Sequence, residues 1–372
     1  MRTLILTCNT GGGHNSCSKA IQEIFLANGA QCDITDAIQF VSGKLSRFMS
    51  WGHTTMYRYV PELFRWGYGL AEKHSGRMQE DAAVYKLLSA GAEQLHGYIC
   101  SGGYDTVICT HVFSAILLAQ MLREHPAELK TAFVATDYTC SPGAAVRYLD
   151  RYFIPHGTLL AEFEAQGIPA DKIAVSGIPV APSFYSRQER EAAKQAVGVS
   201  VEHSHLLMMC GSMGCGPLEE LTQLLGQRMD GTMELTIVCG TNEKLRRSLE
   251  KLTAGKPNIH ICGFVSNMDA LMDSAELCLT KPGGLSTTEA AAKRLPMVLI
   301  DAVAGCEEHN LNFFVGCGGA VTADDTAALA ELCIDLLRDP KQLAAMSEKL
   351  AGITERPAAE VIFETLRDLS EG

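Results

Sequence analysis

The chain has 372 residues, a formal net charge of −12 and 47% hydrophobic residues. This length suits about two domains, and this composition excludes an intrinsically disordered chain. The negative charge argues against general nucleic-acid binding, because the neutralisation of phosphates requires a basic surface.

The N-terminal segment lacks the pattern of a secretory signal, and no apolar run reaches the roughly 18 residues that span a bilayer. We therefore expect a cytoplasmic protein whose 14 cysteines are reduced thiols. No two cysteines have the C-x-x-C spacing of a zinc site, and we predict that the protein holds no metal.

Short apolar segments alternate with amphipathic segments in two series along the chain. The first series of predicted strands comprises residues 4–7, 106–110, 132–135, 152–154 and 173–176. The second series comprises residues 206–210, 235–239, 259–262, 277–280 and 297–300. Nearly continuous apolar strands separated by helices are typical of parallel sheets covered on both faces. The predicted class is α/β, with two doubly wound domains.

Two prolines, Pro179 and Pro182, interrupt regular structure between the two series. We predict an N-terminal domain over residues 1–182 and a C-terminal domain over residues 183–353. Residues 354–372 contain a predicted amphipathic helix whose apolar face is available to pack on the N-terminal domain. Ligands of such domains bind beyond the carboxyl ends of the strands, so the loops that follow the strands are the candidate sites.

Three glycines and a histidine follow the first predicted strand, in the sequence Gly11-Gly-Gly-His14. This is not the G-x-G-x-x-G fingerprint, which argues against a nicotinamide dinucleotide. His14 is a candidate general base, because its ordinary pKa lies near neutrality. A histidine that only hydrogen-bonds the loop is the alternative.

Aromatic and basic side chains are interleaved over residues 40–77, which contain both tryptophans of the chain. Trp51, Arg58, Arg65 and Trp66 are the candidates for contact with the headgroups of an anionic membrane. A helical subdomain that buries the aromatic rings is the alternative.

The most informative segment is Lys281-Pro-Gly-Gly-Leu-Ser-Thr-Thr-Glu289, which follows a predicted strand. A glycine turn that opens a helix presents backbone N–H groups and a positive dipole end, and both suit a diphosphate. Ser286 and Glu289 also have the spacing of a capping box, which needs no ligand. Both interpretations stay open on this local pattern.

Further polar or glycine-containing loops follow other strands of the second series. Their candidate residues are Ser212, Gly263 to Val265, and the polar side chains of residues 305–310.

Taken together, these loops resemble those of the monogalactosyldiacylglycerol synthases and processive diacylglycerol glucosyltransferases. A more distant similarity is to the N-acetylglucosaminyltransferase that makes lipid II. The matching segments occur in the same order over nearly the whole chain; they are residues 11–14, 136–143, 176–180, 211–214, 263–265, 281–289 and 305–310.

This resemblance implies the GT-B fold, in which two Rossmann-like domains face each other across a cleft. It implies that His14 or its rival Asp137 is the base, that Val265 contacts uracil, and that Glu289 contacts the ribose. Ser286 and Thr287 would contact the diphosphate, and Glu307 and Asn310 the donor sugar. The other implied substrate-binding residues are Gly12, Gly13, Ser212, Gly263, Phe264, Gly284 and Cys306.

The implied activity is inverting transfer of a hexose from a UDP-sugar to a lipid acceptor such as diacylglycerol, without a cofactor. The enzyme would be peripheral on the inner face of the cell membrane. The family's usual Gly-Gln-Glu is Gly305-Cys306-Glu307 here. This departure leaves glucose, galactose, N-acetylglucosamine and glucuronic acid open as the donor sugar. A UDP-sugar 2-epimerase and a non-catalytic UDP-sugar sensor are the alternative functions.

Overall fold

The computed structural model of the chain describes residues 1–8, 12–41, 90–211, 214, 216–300 and 305–369. The chain forms two compact units. Unit 1 runs from Met1 to Ala181 and also includes a short segment that ends at Cys306 and the C-terminal segment from Arg356. Unit 2 comprises the rest of the chain between Pro182 and Glu355.

Unit 1 contains a six-stranded parallel sheet. Its strands are β1 (Arg2–Thr7), β2 (Gln31–Asp36), β3 (Thr106–Cys109), β4 (Lys130–Val134), β5 (Arg151–Ile154) and β6 (Ile173–Val175), in the spatial order β2-β1-β3-β4-β5-β6. In the register of the first three strands, Ile5 of β1 lies opposite Ile34 of β2 and Ile108 of β3.

Unit 2 contains a second six-stranded parallel sheet. Its strands are β7 (Ser204–Met209), β8 (Met233–Val238), β9 (Ile259–Cys262), β10 (Leu277–Thr280), β11 (Met297–Leu299) and β12 (Ala320–Val321), in the spatial order β12-β11-β10-β7-β8-β9. Apolar side chains of these strands form one buried core with side chains of the covering helices, including Leu225, Leu249 and Ile334.

The described part of the chain contains fourteen α-helices. The first five are α1 (Gly12–Ala27), α2 (Ile38–Val41), α3 (Ala92–Gly102), α4 (Val112–Glu124) and α5 (Leu160–Ala165). The next five are α6 (Arg190–Val197), α7 (Leu218–Arg228), α8 (Glu243–Leu252), α9 (Met268–Ser274) and α10 (Gly284–Ala292). The last four are α11 (Cys306–Gly316), α12 (Thr326–Leu337), α13 (Pro340–Leu350) and α14 (Ala358–Asp368). None of the helices in the described ranges is long and apolar enough to cross a membrane.

The α/β class and the parallel sheets predicted from the sequence are confirmed. Every predicted strand is present within a few residues of its predicted bounds. Two strands, β2 and β12, were not predicted, and both lie at the edge of a sheet. Strand β2 alternates buried with accessible residues, and β12 has two residues, so neither gives the continuous apolar run of a central strand.

Helix α1 is amphipathic. Its buried side chains include Ala20, Ile21 and Phe25. Gly29 has a φ of 77°, in the left-handed region, and lies just after the helix, where such a glycine commonly ends a helix. Helix α14 packs on α1 within unit 1, where the rings of Phe25 and Phe363 meet edge to face at 5.1 Å between centroids.

Candidate active site

The glycine turn of unit 2 lies at the point in the sheet where the order of the strands reverses. Strand β7 leads to β8 and β9 on one side, whereas β10 pairs with the other side of β7 and leads to β11. The carboxyl ends of β7 and β10 therefore meet at a topological switch point, which is the usual ligand site of a doubly wound sheet. The turn over residues 281–283 follows β10 at this point.

The first turn of α10 presents unpaired backbone donors. Gly283 precedes the helix in an extended conformation, and a side chain added there would meet no atom within 4 Å. Within the described residues, the backbone N–H groups of Gly284, Leu285 and Ser286 donate no hydrogen bond. Three adjacent donors at the positive end of a helix form a site for an anion.

The capping-box interpretation of Ser286 and Glu289 is wrong. The residue that precedes α10 is Gly283, and no side chain caps the helix. Ser286 is therefore the third residue of the helix, and Glu289 lies one turn further along the same face. The glycine-rich turn removes the requirement for a serine cap, because a Gly residue is tolerated at this position.

Two adjacent side chains at the start of α10 differ in accessibility. Ser286 is half-buried. Thr287 is fully buried and donates its hydroxyl proton to the Gly283 carbonyl oxygen, with the two oxygens 2.9 Å apart. The Thr287 hydroxyl therefore braces the turn, Ser286 is the more accessible of the two side chains, and the predicted contact of both residues with a diphosphate stays a prediction.

Glu289 is a half-buried residue of α10. Its carboxyl group has no hydrogen-bond partner among the residues that the structure describes. Desolvation by the surrounding protein raises the pKa of Glu289 from an ordinary 4.5 to about 8. A polar group in this state is able to exchange hydrogen bonds with the hydroxyl groups of a ligand.

Helix α11 supports the glycine turn from the side. Asn310 is fully buried, and its Nδ2–H donates to the Pro282 carbonyl oxygen at 2.9 Å. Cys306 and Glu307 begin the helix and are half-buried. In this structure the described contact of Asn310 is with the turn, so its direct effect is on the backbone that precedes α10.

The loop after β9 carries an exposed aromatic side chain. Gly263 follows the strand, Phe264 is 75% exposed, and Val265 is half-buried. These residues lie at the carboxyl end of the edge strand of unit 2. The exposed Phe264 ring is therefore accessible to a ligand or a partner.

His14 lies at the corresponding switch point of unit 1. Strand β1 pairs with β2 on one side and β3 on the other, and α1 begins just after β1. The half-buried His14 ring has its Nδ1 atom 2.8 Å from the Thr110 carbonyl oxygen. Because a carbonyl oxygen only accepts, Nδ1 carries the proton, and the neutral ring has its lone pair on Nε2.

The loop after β4 brings a second polar group to His14. The Thr136 hydroxyl oxygen lies 3.2 Å from His14 Nδ1. The next residue, Asp137, is half-buried. Glu162 holds the loop further along, because its Oε1 atom accepts hydrogen bonds from the Thr139 hydroxyl at 2.6 Å and the Cys140 N–H at 2.7 Å.

The remaining predicted residues divide into two groups. Gly12 and Gly13 are the first residues of α1, where Gly12 is exposed and Gly13 half-buried. Ser212 and the four membrane candidates, Trp51, Arg58, Arg65 and Trp66, lie outside the described residues. The roles predicted for them stay predictions.

Glu162 and His111 also lie at this edge of unit 1, and neither was predicted from the sequence. His111 lies against His14 with 4.6 Å between ring centroids. The sequence could have marked His111 as a candidate, because Thr110 and His111 follow a buried strand, as the residues of the other candidate loops do. Glu162 lies within a short helix, where a carboxylate gives no local signal.

Comparison with known families covers both halves of the chain. Residues 14–180 match the family model for monogalactosyldiacylglycerol (MGDG) synthase. Residues 205–362 match the family model for the glycosyltransferase family 28 C-terminal domain. The chain is therefore similar to the MGDG synthases in its N-terminal half and to the family 28 glycosyltransferases in its C-terminal half. The predicted resemblance is confirmed, and the transferase class is favoured over the epimerase and sensor alternatives.

Curated relatives and solved structures agree with this assignment. The glycosyltransferase is 26% identical to a processive diacylglycerol beta-glucosyltransferase of Bacillus cytotoxicus, over 99% of this chain and 94% of the relative. Its fold is similar to that of MurG from Acinetobacter baumannii, with a TM-score of 0.69, 14% identity and 99% of each chain covered. The GT-B fold is thus confirmed.

A UDP-GlcNAc 2-epimerase from Neisseria meningitidis, solved with UDP-GlcNAc, also has a similar fold. Its TM-score is 0.62 at 15% identity, over 99% of this chain and 100% of the epimerase. At this identity the likeness concerns the fold alone, so it gives no support to epimerase activity.

Proposed function

We propose that this glycosyltransferase moves a hexose from a UDP-sugar to the hydroxyl group of a diacylglycerol-type lipid, with inversion at the anomeric carbon. The first turn of α10 is the observation that supports binding of the UDP-sugar donor. Its unpaired N–H groups at Gly284, Leu285 and Ser286 suit the diphosphate of UDP. Glu289, one turn further along, suits the ribose hydroxyl groups.

These donors also account for catalysis at the leaving group. As the bond between the anomeric carbon and the β-phosphate oxygen breaks, negative charge grows on the diphosphate. Fixed N–H groups at a helix end stabilise that charge without reorganisation. We therefore propose that UDP leaves without the help of a metal ion. The described residues contain no group of three His, Cys, Asp or Glu side chains that could hold one, and metal independence stays a prediction.

His14 is the proposed base for the acceptor. The bond from its Nδ1–H to the Thr110 carbonyl oxygen leaves Nε2 as the basic atom of the neutral ring. In the proposed step, Nε2 takes the proton of the acceptor hydroxyl as that oxygen forms a bond to the anomeric carbon. UDP departs from the opposite face with the electron pair of the broken bond. Asp137, beside Thr136, is the alternative base.

The lipid acceptor is proposed from the family of the N-terminal half. Residues 14–180 match the MGDG synthase model, and the relative from Bacillus cytotoxicus is named for diacylglycerol. Trp51, Arg58, Arg65 and Trp66 belong to the segment that we propose for contact with an anionic membrane on its cytoplasmic face. The enzyme would then be peripheral and would take its acceptor from the bilayer.

Release of UDP tests the proposal. The protein is incubated with UDP-glucose, UDP-galactose, UDP-N-acetylglucosamine or UDP-glucuronate, with anionic vesicles that contain or lack diacylglycerol, and with EDTA present. We expect release from one donor that depends on diacylglycerol and is unchanged by EDTA. Measurable UDP binding without diacylglycerol-dependent release from any donor would contradict the proposed acceptor.

A further inference from the structure

The residue that precedes α4, His111, contacts the proposed base. His111 immediately precedes the helix, and its Nδ1 atom accepts a hydrogen bond from the Phe113 N–H at 3.0 Å. A nitrogen atom that accepts this bond has no proton, so the cap requires the neutral ring with its proton on Nε2. His111 and His14 thus have opposite tautomers, each set by a backbone group.

The two rings meet edge to face, with centroids 4.6 Å apart and an angle of 71° between their planes. The His14 ring is also held at Nδ1 by Thr110 and Thr136. Contact on the face or edge of the ring restricts the remaining rotation about its side-chain torsions. At this separation two imidazolium charges would repel each other strongly, so the pair accommodates one added proton at most.

We propose that His111 is a positioning residue. Its ring holds the His14 ring in place and is itself uncharged. This inference rests on the proposed function, in which His14 is the base. Because the cap keeps His111 neutral, the proton from the acceptor hydroxyl goes to His14. An anion at position 111 would instead favour the imidazolium form of His14 and reduce the fraction of active base.

Other titratable groups lie at the same edge of unit 1. They include Asp36 after β2, Asp137 after β4, Glu162 of α5, and the thiols of Cys8 and Cys109 at the ends of β1 and β3. Burial raises the pKa of both thiols, so they stay neutral near pH 7. The three carboxyl groups are common to every variant described below, so their effect cancels in the comparison.

Substitutions at position 111 distinguish the capping of α4 from the contact between the two rings. His111→Asn and His111→Asp both keep a good N-cap, so α4 should stay folded. His111→Phe keeps a ring but loses the cap. His125→Asn is the matched control: His125 lies at the other end of α4 and its Nε2 atom is 2.9 Å from Glu93 Oε2.

The first measurement is the pKa of His14 by NMR titration of the histidine rings in the full chain. We expect His111→Asp to raise the pKa of His14 by about one unit, as an opposite charge within a few ångströms does. His111→Asn and His125→Asn should leave it within a few tenths of a unit of wild type. An unchanged His14 pKa in His111→Asp would overturn the proposal. This test needs no assay of sugar transfer.

The second measurement is kcat/KM for the lipid acceptor together with the Kd for UDP. We expect His111→Asn to lose about 10-fold in kcat/KM, to keep its UDP affinity, and to lose several-fold more than His111→Phe. For His111→Asp the acid limb of the pH–rate profile should move to higher pH. Wild-type kcat/KM in His111→Asn, or a greater loss in His111→Phe, would overturn the proposal. If the wild-type protein transfers no sugar, the proposed function fails, and the NMR titration still decides the coupling of the two rings.

Discussion

Glu289 is a candidate site residue whose pKa is strongly raised by its surroundings. Its pKa of about 8 means that the unliganded protein holds a neutral carboxylic acid here at pH 7. Such a group is both a donor and an acceptor of hydrogen bonds, which suits a pair of ribose hydroxyl groups. The amide of glutamine has the same shape and the same capacity.

We therefore predict that Glu289→Gln keeps UDP affinity within a few-fold of wild type, whereas Glu289→Ala loses about 10-fold or more. Isothermal titration calorimetry with UDP at pH 7 measures both. Equal losses in the two variants would show that the ionised carboxylate is the binding form.

The same pKa predicts how stability depends on pH. The folded-state pKa of about 8 lies above the unfolded value near 4.5, so the folded state binds more protons between these values. Stability contributed by Glu289 is present at low pH and is lost as pH rises through this window. Because the carboxyl group is half-buried, we expect a loss of about 2 kcal/mol rather than the full shift.

Thermal unfolding of wild type and Glu289→Gln at pH 5.5 and pH 8.5 measures this loss. The wild-type Tm should fall relative to that of the variant by roughly 4–8 °C as pH rises. A constant difference between the two Tm values would contradict the raised pKa.

At the scale of elements, α11 and the glycine turn act together through Asn310. Replacing its amide by a carboxylate sets an oxygen against the Pro282 carbonyl oxygen in a buried place. We predict that Asn310→Asp costs about 2 kcal/mol of stability and weakens UDP binding about 10-fold, because the turn positions the N–H groups of α10.

Asn258→Asp is the matched control for this prediction. The Asn258 Nδ2–H donates to the Met233 carbonyl oxygen at 3.0 Å, near the amino end of β8. This variant should keep UDP affinity within about twofold while losing a similar hydrogen bond. Wild-type UDP affinity in a folded Asn310→Asp variant would contradict the role given to Asn310.

Sequence periodicity was sufficient to predict the elements that position the site. Central parallel strands are apolar throughout, and the glycine turn after β10 marks the start of α10. Side-chain direction was not predictable in the same way. Ser286, Thr287 and Glu289 are close in sequence, and the observed helix start at Gly284, two residues before Ser286, decides which of them is accessible. His111 approaches His14 across a separation of many residues, which a local pattern does not report.

At the scale of the whole molecule, unit 1 contains both the first and the last helix of the described residues. Helix α14 returns to unit 1 and packs on α1, the helix that carries His14. Phe25 is fully buried and Phe363 is 8% exposed in this contact. Rigid support of α1 therefore depends on residues far from the proposed base in sequence.

We predict that Phe363→Ala destabilises unit 1 by about 3 kcal/mol, as the truncation of a buried aromatic ring does. Urea denaturation followed by circular dichroism measures the change, and UDP affinity, which we propose to reside in unit 2, should be unaffected. Leu26→Ala is the control on α1, because Leu26 is 53% exposed and its loss should cost less than about 0.5 kcal/mol. Equal stability of the two variants would contradict the packing role of α14.

We propose above all that this glycosyltransferase transfers a hexose from a UDP-hexose to diacylglycerol with His14 as the base. Mass spectrometry of diacylglycerol vesicles, incubated with the preferred UDP-hexose, the protein and EDTA, tests this claim most directly. We predict a lipid heavier by one hexosyl residue with wild type, and none with a His14→Ala variant that still binds UDP within a few-fold. Unmodified diacylglycerol with wild type, or equal product from His14→Ala, would contradict the account.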